Sequence, residues 1–237
     1  MHSDWLQSGT GIALLRDESY QVAGAFESIF GDQFLQIGAW GDGQLFRHFS
    51  RTRRYAVVSP QPAPGVDLIS LVEDLAIAPD SIDAVFLPHT LETADDPHDV
   101  LREVDRILRP DGHLVVLGFN PWGWWGMRHH LTRRSFPAGG RRMVSESRLH
   151  DWLRLLDFRV DPSCFFHFTA PIYRSHVATE PVRDGHSRRR GWHPLASSYL
   201  LVARREMFTM TRVRPALRRR RTQLVGGLIN PTTRDAT

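Results

Sequence analysis

The sequence predicts an open α/β fold, a mostly parallel sheet with helices on both faces. Three observations predict it. Residues 81–121 read as strand, loop, helix, tight turn and strand, and two parallel strands joined by one helix make a βαβ unit. The strands of that unit, residues 82–87 and 114–119, are unbroken apolar runs, as expected where both faces of a strand are covered. A third run, residues 34–38, leads into the glycine-rich turn Gly38-Ala39-Trp40-Gly41-Asp42-Gly43, where backbone can pass close to a ligand.

Taken in order, residues 1–16 read as an irregular lead-in. Residues 18–30 follow as a helix, with Val22, Phe26 and Ile29 on one face. After the first strand and its turn, residues 44–50 predict a short helix and residues 55–59 the second strand. The proline-rich stretch 61–65 is a rigid loop, and residues 66–71 are the third strand. The fourth strand, 82–87, precedes a helix opened by Asp96 as N-cap and Pro97 at the first helical position. Val100, Leu101, Val104, Ile107 and Leu108 stripe its face. Arg106 and Arg109 suit its negative end, and Pro110-Asp111-Gly112 stops it. The fifth strand, 114–119, runs into Asn120-Pro121-Trp122-Gly123-Trp124-Trp125-Gly126, an aromatic segment that should overhang the mouth of any crevice at that end of the sheet. Ser145 caps a helix bearing Leu149, Trp152, Leu153 and Leu156. Residues 158–168 and 198–203 read as the sixth and seventh strands.

The composition sets limits. At 237 residues the chain has room for one α/β domain with one or two insertions. No apolar run approaches a membrane span, and the N-terminus lacks the pattern of a secretory signal, so a cytoplasmic location is expected. Cys164 is the single cysteine, which excludes an internal disulfide and a multi-cysteine metal site. His129 and His130 are adjacent rather than four apart, so no metal is expected. All 30 basic side chains are arginine, and the net charge is +4. Clusters at Arg188-Arg189-Arg190 and Arg218 to Arg221 read as solvated arginine, with a phosphate-rich partner such as nucleic acid or an anionic surface as the sharper alternative. No nucleic-acid-binding motif accompanies them.

Asp83-Ala84-Val85, His89-Thr90-Leu91-Glu92, Asp96-Pro97, Leu101-Arg102-Glu103 and Arg106-Ile107-Leu108-Arg109-Pro110-Asp111-Gly112 form an ordered run of matches. In these residues the chain resembles the class I S-adenosylmethionine (SAM) methyltransferases of the type 11 family. The resemblance implies a Rossmann-like, seven-stranded, mostly parallel sheet whose last strand is antiparallel and inserts beside the fifth. It also implies SAM as cofactor. The methyltransferase-like domain is then residues 1–205, with an aromatic insertion at about 120–143 and a long loop at about 169–196. Residues 206–237 are a basic, partly disordered C-terminal extension. The Asn120-Pro121-Trp122 segment, residues 152–158 and Asn230-Pro231-Thr232-Thr233-Arg234 also resemble an uncharacterised bacterial branch of that family.

Carried over position by position, the resemblance implies a cofactor site made by Gln36, Gly38, Trp40, Gly41, Ser59, Glu73, Asp74, Leu75, Pro88 and His89. Several of these depart from the family pattern. Gln36 stands where the first strand carries an acid, Trp40 where the turn carries its second glycine, Ser59 where the second strand ends in an acid, and Leu71 where an aspartate opens the adenine-side turn. An indole at Trp40 crowds the amino-acid end of SAM unless the turn shifts to Gly41 and Gly43. His89 is the candidate catalytic residue, a base if its imidazole is neutral, with loop packing as the alternative. Glu92 is expected to organise that loop.

Methyl transfer from a sulfonium needs positioning more than acid–base machinery, so a missing triad or metal cluster does not count against it. The expected function is therefore methyl transfer to a small-molecule acceptor. The alternative is a catalytically degenerate, methyltransferase-like binding or scaffolding protein. A nicotinamide-dependent oxidoreductase is disfavoured, because the turn lacks Gly-x-Gly-x-x-Gly and the second strand ends without an acid.

Overall fold

The computed structural model describes residues 3–131, 142–168, 189–190, 193 and 195–206. The expected loop 169–196 falls mostly outside the described residues, as does the extension beyond residue 206. The chain divides into two units, residues 1–207 and 208–237, and the description concerns the first.

The element order is α1 (Ser3–Leu6), α2 (Gly9–Phe26), β1 (Gln33–Ile37), β2 (Arg54–Ser59), β3 (Leu68–Ile69), β4 (Ile82–Pro88), α3 (Thr90–Thr93), α4 (Pro97–Ile107), β5 (Leu108–Phe119), α5 (Trp124–Leu131), α6 (Glu146–Leu155), β6 (Phe158–Val160), β7 (Cys164–Phe166), β8 (Arg189–Arg190) and β9 (Ser198–Arg205). The strands form one sheet in the order β3-β2-β1-β4-β5-β9-β7-β8, with β6 also paired to β9. From β3 to β5 all pairs are parallel. β9 enters antiparallel beside β5, with Leu114 opposite Ala203 and Phe119 opposite Ser198. The predicted α/β fold with an antiparallel final strand is thus the observed one.

Period-two alternation explains the unbroken apolar runs. Leu35, Ile37, Val85, Leu87, Leu114 and Val116 face α4 and α6, whose Val100, Leu101, Val104, Leu149 and Leu153 complete one core. Phe34, Phe86, Val115 and Leu117 face the other way, onto Leu14, Val22 and Phe26 of α2 and Trp125 of α5. Asp96 caps α4 by accepting from the His98 N–H at 2.8 Å, and Ser145 caps α6 by accepting from the Arg148 N–H at 3.4 Å. Each cap contributes about 1 kcal/mol. Asp83 locks β4 to the start of β1. It accepts from the Asp32 and Gln33 N–H groups at 2.8 Å each and from Arg109 at 2.6 Å. Its partial burial favours the neutral form, but these donors outweigh that and lower its pKa.

Five local expectations are corrected. The lead-in is helical: Ser8 accepts from the Gly11 N–H at 3.2 Å and starts α2 at Gly9, well before residue 18, and α2 stops at Phe26. Two glycines in the first turn mask this start, because glycine is a poor helix former. Residues 44–50 give only one 3₁₀ turn, Arg47–Phe49. The third strand shrinks to Leu68–Ile69, an exposed edge held to β2. The predicted sixth strand splits into β6 and β7 around Pro162, which cannot donate to a ladder, so with the two-residue β8 the sheet has nine strands among the described residues, close to the seven expected. Arg106 turns sideways instead of serving its helix end, donating to Ile77 O at 2.8 Å and Leu75 O at 3.0 Å.

Candidate functional site

The carboxyl ends of β1 and β4 lie side by side, and the chain leaves them in opposite directions, β1 toward β2 and β4 toward β5. In open α/β sheets this switch point is where ligands bind. Gln36, Gly38, Trp40, Pro88 and His89 meet there. Gly38 has φ +102°, and a Cβ on it would sit 2.7 Å from Thr90 Oγ1, so this position requires glycine. Thr90 in turn donates its hydroxyl to Ile37 O, tying the two strand ends together. Gly41 is also left-handed, at φ +69°, and a side chain there would meet only Leu45.

The interior of this switch point is filled by the protein's own side chains. Trp40 is buried, and its Nε1 donates to Glu18 Oε2 at 2.8 Å. The other oxygen of Glu18 lies 2.9 Å from His89 Nε2. The His89 ring stacks on Phe119, centroids 3.9 Å apart, and touches Trp40 at 4.3 Å. Phe119 and Trp5 extend the aromatic wall around Trp40. His89 adopts φ +53°, outside the usual range for a non-glycine residue, so the ion pair and stacking hold a strained backbone.

The electrostatics set the charge state. Burial is the largest influence on His89 and favours the neutral ring. The carboxylate of Glu18, paired and hydrogen-bonded, and the nearby charge of Glu92 more than reverse this, and the pKa is pushed up to about 9. Glu92 lies 3.7 Å from Nδ1, too far for a hydrogen bond, and acts through its charge. With its pKa raised in this way, His89 favours the cation at neutral pH and lacks the lone pair of a general base, which fits the loop-packing alternative better than the base. Glu92 accepts from the Phe119 N–H at 2.8 Å and so organises the loop, as expected.

The remaining candidates line the ends of the strands beyond β1. Gln36 is buried with both ends of its amide in use: Nε2 donates to Gly38 O at 2.7 Å, and Oε1 accepts from the Tyr55 hydroxyl at 2.6 Å. Burial drives the pKa of that phenol upward, keeping it a donor. A carboxylate at position 36 could not donate to Gly38 O, which is a physical reason for glutamine here. Ser59 ends β2, its hydroxyl accepting from the Gln61 N–H at 3.4 Å. Glu73 accepts from the Asp95 N–H at 3.0 Å. Asp74 is exposed, and its carbonyl accepts from the Ser70 hydroxyl at 3.1 Å. Leu75 is buried and donates its N–H to Glu103 at 3.1 Å. Leu71 is exposed.

Sequence reasoning missed Glu18, Tyr55 and Phe119. A signal for Glu18 was present: Leu14, Glu18, Val22 and Phe26 recur every four residues, which places an acid inside an apolar stripe. The aromatic segment also divides. Trp125 is buried against Phe119 and His167, while Trp122 faces solvent.

Residues 35–116 match the family described as "methyltransferase domain", of type 11. Among curated proteins, the uncharacterized protein YafS of Escherichia coli (strain K12) is 43% identical over 95 residues. That match spans 39% of this chain and 39% of YafS, so the chain covers about two-fifths of that relative's length. Among solved structures, a SAM-dependent methyltransferase from Thermotoga maritima superposes with a TM-score of 0.62 at 20% identity, covering 82% of this chain and 92% of that one. A SAM-dependent methyltransferase from Archaeoglobus fulgidus gives 0.57 at 16% identity, covering 85% and 97%. The architecture is the Rossmann-like fold of class I methyltransferases. The type 11 match covers residues 35–116, about a third of the chain with that fold.

SAM is the cofactor this fold implies, and the fit differs along its length. Asp74 and Leu71 are exposed, while Ser59 is buried and offers a hydroxyl rather than a carboxylate at the end of β2. At the switch point, where the resemblance places the amino-acid end of SAM, the Trp40 indole is buried and the Gln36 amide is already bonded. In this arrangement the residues do not fit the cofactor.

Proposed function

We propose that the protein is a SAM-dependent methyltransferase acting on a small-molecule acceptor, with its cofactor site closed at the amino-acid end until Trp40 withdraws. The observation that carries this reading is the switch point itself, where the turn after β1 and the His89 loop after β4 stand together at adjacent strand ends. The type 11 segment over residues 35–116 supports it. The Trp40 side chain is tethered by one hydrogen bond, on a turn whose Gly38, Gly41 and Gly43 all have positive φ. Such a turn is well suited to adopting a second conformation. We place the protein in the cytoplasm and treat residues 206–237 as a basic extension of the domain.

Calorimetric titration with SAM and S-adenosylhomocysteine tests this reading. Micromolar binding of either, followed by transfer of labelled methyl groups to small molecules from a cell extract, is the expected result. A second reading is favoured by Gln36, Trp40, Ser59 and Leu71: a methyltransferase-like binding protein that has lost catalysis. Folded protein that stays silent at millimolar ligand, with Trp40 present and with Trp40→Ala, would establish that second reading in place of the first.

A further inference from the structure

Three ionisable side chains are buried together at the carboxyl ends of β4 and β5, and their charges do not balance. Glu18 of α2, His89 after β4 and Glu92 of α3 are 0%, 2% and 3% exposed. His89 Nε2 lies 2.9 Å from Glu18 Oε1, and His89 Nδ1 lies 3.7 Å from Glu92 Oε1. One imidazolium therefore stands between two carboxylates. Among the described residues no arginine pairs with either acid. Arg142, which touches the Glu92 loop, donates its N–H to Glu92 O at 3.4 Å and its guanidinium to Asp95 O at 3.3 Å.

The two acids are not equally served. Glu18 uses both oxygens, one on Trp40 Nε1 at 2.8 Å and one on His89. Glu92 Oε1 accepts from the Phe119 N–H at 2.8 Å, whereas Oε2 is buried and has no hydrogen-bond partner among the described residues. Taking an ionised oxygen out of water without giving it a donor is costly, more so than for a neutral group. The negative potential reaches further: burial first, and then the charges of Glu92 and Glu146, push the pKa of Tyr199 up. Aromatic rings complete the surroundings. Phe119 stacks on the His89 ring at 3.9 Å, and Trp40 touches it at 4.3 Å. Aromatic faces attract cations. An unpartnered buried carboxylate oxygen, surplus negative charge and aromatic faces all call for the same ligand, a compact organic cation that carries N–H donors.

We infer that Glu92 anchors the ammonium group of a small amine at this end of the sheet. This names the acceptor class of the proposed methyltransferase and so rests on that reading, although the binding itself is measured without SAM. Calorimetric titration with benzylamine, benzyl alcohol and benzoate at neutral pH separates charge from shape. It is run on the wild type and on Trp40→Ala, or on the milder Trp40→Leu where the alanine variant does not fold. The amine should bind at least about tenfold tighter than the alcohol in the opened variant, and benzoate should not bind. In that background Glu92→Gln keeps an oxygen for the Phe119 N–H and should erase the preference for the amine. Asp99→Asn, a half-exposed acid on α4 paired with Arg102, should leave the preference intact. Equal binding of amine and alcohol would overturn the inference, as would a preference that survives Glu92→Gln. So would a carboxylic-acid C=O stretch in the wild-type infrared spectrum that Glu92→Gln removes, because a neutral acid brings its own donor and cancels the surplus charge. Titration with SAM on the same samples separates the two readings. Amine binding without SAM binding would uphold the cation site and overturn its role for an acceptor, whereas SAM binding without a preference for the amine would overturn the cation site alone.

Discussion

The two halves of the parallel sheet are built from the same kind of buried strand but end differently. In the β4–α4–β5 half, polar side chains serve the backbone: Asp96 caps α4, Asp83 and Arg109 lock β4 to β1, and Glu92 holds the Phe119 N–H. In the β1–β3 half, the strand ends are where a ligand would need donors and acceptors, and there Gln36, Trp40 and Glu73 bond to the protein instead. The resemblance to methyltransferases is dense in the half whose motif residues make structure and loose in the half whose residues would meet the cofactor. A motif can therefore stabilise a fold without forming the cofactor site, and matching the first says little about the second.

Breaking the closed half should have the largest effect. Glu18→Ala leaves the cationic His89 buried without its partner, and unfolding experiments should show a loss of about 3–5 kcal/mol. Stability unchanged within error would mean that the ion pair is not the clasp described here. Trp40→Ala removes a buried indole and should cost about 3–5 kcal/mol unless the site collapses, with circular dichroism verifying the fold. A smaller effect sharpens the comparison. Gln36→Glu sets a carboxylate against Gly38 O and should destabilise by about 1–3 kcal/mol, whereas Asp83→Asn, in the well-matched half, should cost about the same by loosening β4 from β1.

The pH dependence follows from the same pair. The folded-state pKa of His89 is about 9, against an ordinary 6.5. Its contribution is fully present below the unfolded value and is lost as pH rises through the folded one. Stability should fall between those values, and His89→Gln should flatten that part of the profile. A wild-type profile that is already flat there would contradict the charge state assigned to the ring. Smallest of all, Ser145→Ala should cost about 1 kcal/mol through its cap alone.

Fold class and most elements were legible because burial leaves periodic traces. The strands β1, β2, β4 and β5, helix α4 with its Asp96 cap, and α6 with Ser145 could all be read from spacing. Boundaries failed where one residue overrode the pattern: Gly9 and Gly11 hid the start of α2, and Pro162 split a strand. The site was legible only by position. That Trp40 would turn inward depends on Glu18, 22 residues earlier, and His89 becomes a cation only because folding brings that same carboxylate to it. Such pairings are long-range consequences of the fold, and local periodicity does not encode them.

The central claim is that Trp40 closes the switch point. The most direct test is the ratio of SAM dissociation constants for wild-type protein and folded Trp40→Ala. Removing the plug should tighten binding at least about tenfold, the equivalent of roughly 1.4 kcal/mol. Equal or weaker binding by the variant would show that the indole is a wall of the cofactor site and not its plug.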